Sequence, residues 1–163
     1  MTPTPATAAV RVRRAELSDL DDLVALENST FDSDLLSRAQ YRRHLDSDTA
    51  LVLVASANHR RFLGTAVVFF RKGSRVARLY SIASKPEARG KGVGTALLDA
   101  VEAAARQRRC LAVRLEVRDD NANAVRLYER HGYKHIGHYP HYYQDGSHAW
   151  RYEKALVDKL VKR

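Results

Sequence analysis

The stretch "EARGKGVGTALLDA", Glu87–Ala100, governs how this chain reads. Gly90, Gly92 and Gly94 fall within five positions and lead directly into an apolar-periodic segment. Val93, Leu97, Val101 and Ala105 recur every fourth residue, which predicts a helix over 94–108. A helix N-terminus presents unpaired N–H groups and about half a positive charge. Glycines let that backbone approach an anion without side-chain obstruction, so the loop predicts a phosphate site. It is not a Walker loop, because Lys91 precedes Gly92 and Val93 follows it. It is not a dinucleotide fingerprint either, because the sixth position counted from Gly90 is Thr95. What remains is R-x-x-G-x-G on Arg89, Gly92 and Gly94. Alone, that pattern describes a tight left-handed turn as well as a ligand loop.

Before the loop, "RVARLYSIAS" reads as a strand ended by Lys85-Pro86. "LAVRLEVR" after the helix alternates, with Leu111, Val113, Leu115 and Val117 on one face and Ala112, Arg114, Glu116 and Arg118 on the other. "DDNANAVRLYERHG" predicts a capped helix closed by Gly132. "YKHIGHY" and "AWRYEKAL" predict two closing strands around the loop "PHYYQDGSH". Toward the start, "VRVRRA" is a first strand and "SDLDDLVALENSTF" a helix capped by Ser18. "SRAQYRRHL" is a short helix started by Ser37, and "ALVLVAS" and "FLGTAVVFF" form a hairpin across "ANHRR". The order β-α-α-β-β-β-α-β-α-β-β implies an α/β (α+β layered) fold with helices on both faces of a mixed sheet. One domain is expected over 10–163, with a disordered tail over 1–9.

Composition bounds the function. No apolar run approaches the roughly 18 residues of a membrane span, and "MTPTPATAAV" lacks the pattern of a signal peptide. A single cysteine, Cys110, excludes an internal disulfide and fits a reducing compartment, so a cytoplasmic protein is expected. The net charge of +9 predicts an anionic partner. No RNA-recognition or zinc-finger signature accompanies it, so nucleic acid is not the expected one. His131, His135, His138, His141 and His148 crowd the last third without standard zinc spacing, and no metal is expected.

The residues of "LYSIASKPEARGKGVGTALLDAVEAAA", "LEVRDDNANAVRLYERHGY" and "HYYQDGSHAWRYEKAL" resemble the Gcn5-related N-acetyltransferases, whose acyl-CoA loop is [QR]-x-x-G-x-[GA]. Within that family the chain is most similar to the ribosomal-protein-alanine N-terminal acetyltransferases, over about residues 10 to 157 and most densely from Arg75 to Tyr143. The resemblance implies a mostly antiparallel seven-stranded sheet and acetyl-CoA as co-substrate. It implies that Ile82, Ala83 and Ser84 pair their backbone with the pantetheine arm. Arg89, Gly90, Lys91, Gly92, Val93, Gly94 and Thr95 would hold the pyrophosphate, and Asn121 would hydrogen-bond the pantetheine region.

Glu116, by alternation alone, is either a surface glutamate paired with Arg114 or Arg118 or a base; the family's proton acceptor falls on it. Tyr128 is either a core aromatic or an acid; the family's thiolate-protonating tyrosine falls on it. Cys110 has no neighbouring histidine in sequence, and the resemblance implies direct transfer rather than an acetyl-enzyme. Asp32, Asp34, Tyr80, His141, Tyr142 and Tyr143 are the expected acceptor residues, the acids offering charge to an ammonium group. "DLLS" departs from the tryptophan-serine pair typical of the ribosomal-protein enzymes, and His141 stands where Asn is common. The expected acceptor is thus a peptide or protein α-amine, with lysine side chains and small amines as alternatives. A non-catalytic acyl-CoA sensor or nucleic-acid platform is the contrasting class, and a retained acid and base argue against it. A monomer or weak homodimer is expected.

Overall fold

The computed structural model describes residues 9–58 and 61–156. The expected tail lies outside them except for Ala9, as does part of the "ANHRR" turn. Seven strands form one sheet: β1 (Arg11–Arg14), β2 (Ala50–Ala57), β3 (Arg61–Phe69), β4 (Val76–Ser84), β5 (Ala112–Arg118), β6 (Lys134–Tyr139) and β7 (Ala149–Ala155). The helices are α1 (Leu20–Thr30), α2 (Arg38–Leu45), α3 (Val93–Gln107) and α4 (Ala122–Arg130). The sheet order is β1-β2-β3-β4-β5-β7-β6, antiparallel throughout except where β4 runs parallel to β5. A parallel pair needs a crossover, and α3 supplies it.

Period two sorts the core. Leu53 and Ala55 of β2 join a cluster with Leu97, Leu98 and Val101 of α3 and Val125 and Tyr128 of α4. Val52 and Val54 face the opposite side and pack with Leu20, Leu23 and Leu26 of α1 and Tyr41 of α2. The sheet is therefore covered on both faces, as the order of elements implies.

Two local expectations are corrected. Ser18 does not cap the first helix. Asp19 receives two hydrogen bonds from Arg13 at 2.7 and 2.8 Å and one from the Glu16 N–H at 2.7 Å. A buried ionic anchor to β1 fixes a 3₁₀ turn at Leu17–Asp19, and α1 starts only after it. Leu111 is 59% exposed and precedes β5 instead of sharing its buried face. Ser37 does cap α2, in a reciprocal pair with Gln40.

The strand β4 is paired incompletely on one side and irregularly on the other. Its pairing with β5 ends at Leu79–Leu115, so the backbone from Tyr80 to Ser84 has a free edge toward β5. On its other side Tyr80 bulges out of the ladder with β3. Bulges re-aim side chains next to functional sites. Gly64 of β3 lies opposite this segment, and a Cβ there would sit 2.6 Å from the Ala83 carbonyl oxygen and 3.0 Å from Val93 Cγ1. Gly64→Ala is therefore expected to destabilise the fold by about 1–3 kcal/mol through overpacking. A thermal melt reads this, and an unchanged midpoint would contradict the close approach.

Candidate functional site

Two cavities meet the splayed end of the sheet. The first, about 600 Å³, is lined by Ile82, Ala83 and Ser84 of β4, by Arg89, Gly90, Gly92, Val93, Gly94 and Thr95, and by Asn121. Of the residues expected to hold acyl-CoA, only Lys91 does not line it, and Lys91 is exposed beside it. Gly90 and Gly92 take φ +77° and +80°, the left-handed region that glycine tolerates best. A Cβ at either would meet nothing within 4 Å, so the loop backbone stands open at the α3 N-terminus. Asn121 caps α4 by accepting from the Ala124 N–H at 3.2 Å while it lines the cavity. Arg126 and Arg130, one turn apart on α4, line the same groove. Sequence reading missed both, although their spacing of four on one helix face was the available signal.

The second cavity, about 380 Å³, lies on the other side of β4's free end. It gathers Asp34, Tyr80, Glu116, Tyr142 and Tyr143 with Glu27, Phe31, Ser33, Arg78, Ser81 and Arg118. Asp32 and His141 are exposed and do not line it. His141 instead shapes the β6–β7 loop, with φ +55°, its N–H donated to His148 Nδ1 at 3.1 Å.

Glu116 sits mid-strand with its side chain only 5% exposed. Its Oε1 accepts from Arg78 Nη2 at 2.7 Å and from the Tyr142 hydroxyl at 3.0 Å. Its Oε2 accepts from Arg151 Nε at 2.9 Å. The partners are thus not Arg114 or Arg118. Arg114 pairs with Glu153, and Arg118 turns to the loops. Arg151 is the cross-strand register partner of Glu116 on β7. A carboxylate has about four lone-pair positions, and three are filled, which leaves one on Oε2.

Tyr128 lies in α4 at 4% exposure, edge-on to Tyr133 with ring centroids 5.8 Å apart. It lines neither cavity. Burial, with a smaller contribution from Tyr143, pushes its phenol well above the usual range, so it stays protonated at neutral pH. No protein group bonds its hydroxyl among the described residues, yet no fully buried polar side-chain atom there lacks a partner. The hydroxyl proton is therefore not taken up by another group of the described residues. Cys110 is buried in the α3 cluster, its thiol pushed up by burial, which suits an inert core residue.

Glu27 carries no local signal in the sequence that marks it as a site residue. It is 3% exposed, accepts from the Tyr41 hydroxyl at 2.6 Å and the Leu36 N–H at 2.9 Å, and lines the second cavity. Burial raises its carboxyl above the ordinary range, partly offset by those two bonds. Among the described residues no cluster of three or more His, Cys, Asp or Glu could hold a metal ion, and no helix is long and apolar enough to cross a membrane.

Comparison with known proteins gives a consistent result. The model of the family described as "Acetyltransferase (GNAT) family" matches residues 17–133. The solved structure of Ard1 from Thermoplasma volcanium is 27% identical, with a TM-score of 0.82 over 92% of this chain and 99% of that one. The ribosomal-protein-S18-alanine N-acetyltransferase of Escherichia coli is 22% identical, with a TM-score of 0.77 over 95% of this chain and 100% of that one. The spermidine/spermine N-acetyltransferase SpeG of Vibrio cholerae is 20% identical, with a TM-score of 0.78 over 93% and 95%. The last two likenesses concern the fold alone.

Proposed function

The chain belongs to the GNAT family of N-acetyltransferases, and on that footing we propose that it moves an acetyl group from acetyl-CoA to the α-amine of a peptide or protein N-terminus. The observation that carries the choice of acceptor is the state of the carboxylates in the second cavity. Glu27, Asp34 and Glu116 all line it, and each already accepts hydrogen bonds from the protein. Arg78 and Arg118 line it as well. A polyamine's second ammonium favours carboxylates without cationic neighbours, whereas here Glu116 lies between Arg78 and Arg151 and Glu27 is held by Tyr41 and the Leu36 N–H. One amine on a chain that packs against Phe31, Tyr80, Tyr142 and Tyr143 suits it better. At about 380 Å³ the cavity takes the first residue or two of a peptide.

The first cavity fits acetyl-CoA in shape and charge. The free β4 edge at Ile82–Ser84 suits an amide-bearing arm added like a strand. The open glycine loop and Arg89, Arg126 and Arg130 suit a pyrophosphate. The bound co-substrate supplies an activated acetyl thioester. The incoming amine forms the new N–C bond, and the C–S bond breaks. Glu116 receives the proton the ammonium must lose, at the remaining lone pair on Oε2. Tyr128 donates its phenolic proton to the departing thiolate, the second proton that nitrogen sheds as the amide forms returns through solvent to the phenolate, and Glu116 releases its own proton to solvent.

Mass spectrometry of peptide pools incubated with acetyl-CoA tests this, each peptide offered with a free and a blocked N-terminus. Acetylation confined to free N-termini supports the proposal. Acetylated lysine in both forms makes this a side-chain enzyme. No peptide product, with turnover on spermidine, assigns a small-amine acceptor.

A further inference from the structure

Two loops wall the second cavity: residues 31–37 between α1 and α2, and residues 140–148 between β6 and β7. They are far apart in sequence, yet they are tied by a closed ring of hydrogen bonds. Arg118, the last residue of β5, donates from Nη2 to Ser33 Oγ at 2.7 Å. Ser33 Oγ donates to Asp34 Oδ2 at 2.8 Å. Asp34 Oδ2 also accepts from the Gln144 N–H at 3.1 Å, and the Asp34 N–H donates back to Gln144 Oε1 at 3.2 Å. One residue on, Asp145 Oδ2 accepts from Arg118 Nη1 at 2.8 Å, which closes the circuit. Nη1 also reaches Ser147 Oγ at 2.6 Å, and the guanidinium carbon lies 4.6 Å from the centre of the Tyr143 ring.

The ring imposes a specific backbone. Asp34 adopts φ +58°, which is uncommon outside glycine and is sustained where surrounding contacts dictate it. The Tyr80 hydroxyl adds a bond to the Asp34 carbonyl at 3.3 Å. Tyr80 and Tyr143 both line the cavity, so the bonds that fix the loops also fix its aromatic walls. Only the planar guanidinium can serve this junction, because its donors diverge in a fork toward both loops at once.

We propose that Arg118 is a positioning residue that assembles the acceptor site by clasping these two loops together, with no direct part in the chemistry. The proposal rests on the acetyltransferase reading of the same site. Arg118→Met removes the junction and keeps the stem, Arg118→Lys keeps the charge but not the fork, Ser33→Ala opens the ring between Arg118 and Asp34, and Gln144→Ala removes one of the two bonds on its far side. Hydrogen exchange is measured on the free proteins. Steady-state rates use the best peptide from the free N-terminus pool, and acetyl-CoA binding is measured by calorimetry. Arg118→Met is expected to raise the acceptor KM about tenfold, with kcat within twofold and acetyl-CoA affinity unchanged. Exchange is expected to rise in residues 31–37 and 140–148 together while β4 and β5 stay protected. Arg118→Lys does not rescue it, and Gln144→Ala shifts the same two loops in the same direction. Adding Ser33→Ala to Arg118→Met costs nothing further if the ring acts as one unit. Exchange that rises in 140–148 alone, an unchanged KM, or full rescue by lysine would overturn the proposal. The exchange measurement needs no turnover. A wild-type protein that acetylates no amine therefore defeats the acetyltransferase proposal and leaves the clasp to be judged on its own. Should Arg118→Met fail to fold, Ser33→Ala carries the test, because Ser33 Oγ links Arg118 to Asp34.

Discussion

Tyr128→Phe is expected to lower kcat by about 10²-fold, the lower range for loss of a positioned general acid, while acetyl-CoA affinity and the melting temperature stay at wild-type values. Three structural facts converge on this. The ring is packed in the α3–α4 cluster against Tyr133, and Phe preserves that packing. The hydroxyl has no protein partner among the described residues, so its removal strands no buried donor or acceptor. Burial raises the phenol's pKa, so the proton is present at every neutral pH and its titration does not shape the neutral limb of the rate profile. In the proposed mechanism the substitution removes an interaction made only as charge develops on the leaving sulfur, which lowers kcat and kcat/KM together. Calorimetry with CoA and steady-state rates read the two halves separately. Unchanged turnover removes Tyr128 from the mechanism. A lower melting temperature with proportionate loss of CoA binding makes it a core aromatic only.

The parts of the fold visible in the sequence are those written in local periodicity. The alternation of "LAVRLEVR" placed Val113, Leu115 and Val117 in the core, and the spacing of Val93, Leu97, Val101 and Ala105 placed the buried face of α3. The glycine loop was visible because glycine chemistry is local as well. The surroundings of Glu116 were not. Its ligands come from β4, β7 and the β6–β7 loop, at sequence separations of 38, 35 and 26 residues. Arg151 comes from register, opposite Glu116 across the β5–β7 ladder, while Arg78 and Tyr142 reach it from the neighbouring strand and the loop. Register is a property of the assembled sheet, and no local pattern announces it. The same holds for Arg118. On the strand it reads as one more polar-face residue, and its function as a junction exists only once two distant loops arrive at the strand's end. Ser18 failed because an ion pair from the preceding strand, Arg13 to Asp19, overrode the cap.

The charge state of the acceptor gives the second large effect. Glu116→Gln keeps the size of the side chain and an acceptor oxygen but replaces the other oxygen with a donor amide. That amide meets Arg78 or Arg151, both donors only, so the polar cluster loses an anion between two cations. At pH 7 the variant is expected to lose about 10²-fold in kcat/KM, the scale of a general base. The loss should not be uniform across pH. A peptide α-amine titrates near 7.7–8.0 and a lysine amine near 10.4, so at pH 9 most N-termini are already free amines while most lysines are not. A base is dispensable for a free amine. For a peptide N-terminus the gap between Glu116→Gln and wild type should therefore shrink severalfold between pH 7 and pH 9; for a lysine acceptor it should stay nearly constant. Rates for one peptide across that range, wild type against variant, decide this. A gap that stays constant on a peptide already shown to react at its N-terminus would mean that Glu116 aligns the site through Arg78, Tyr142 and Arg151, and that the proton leaves to solvent without it.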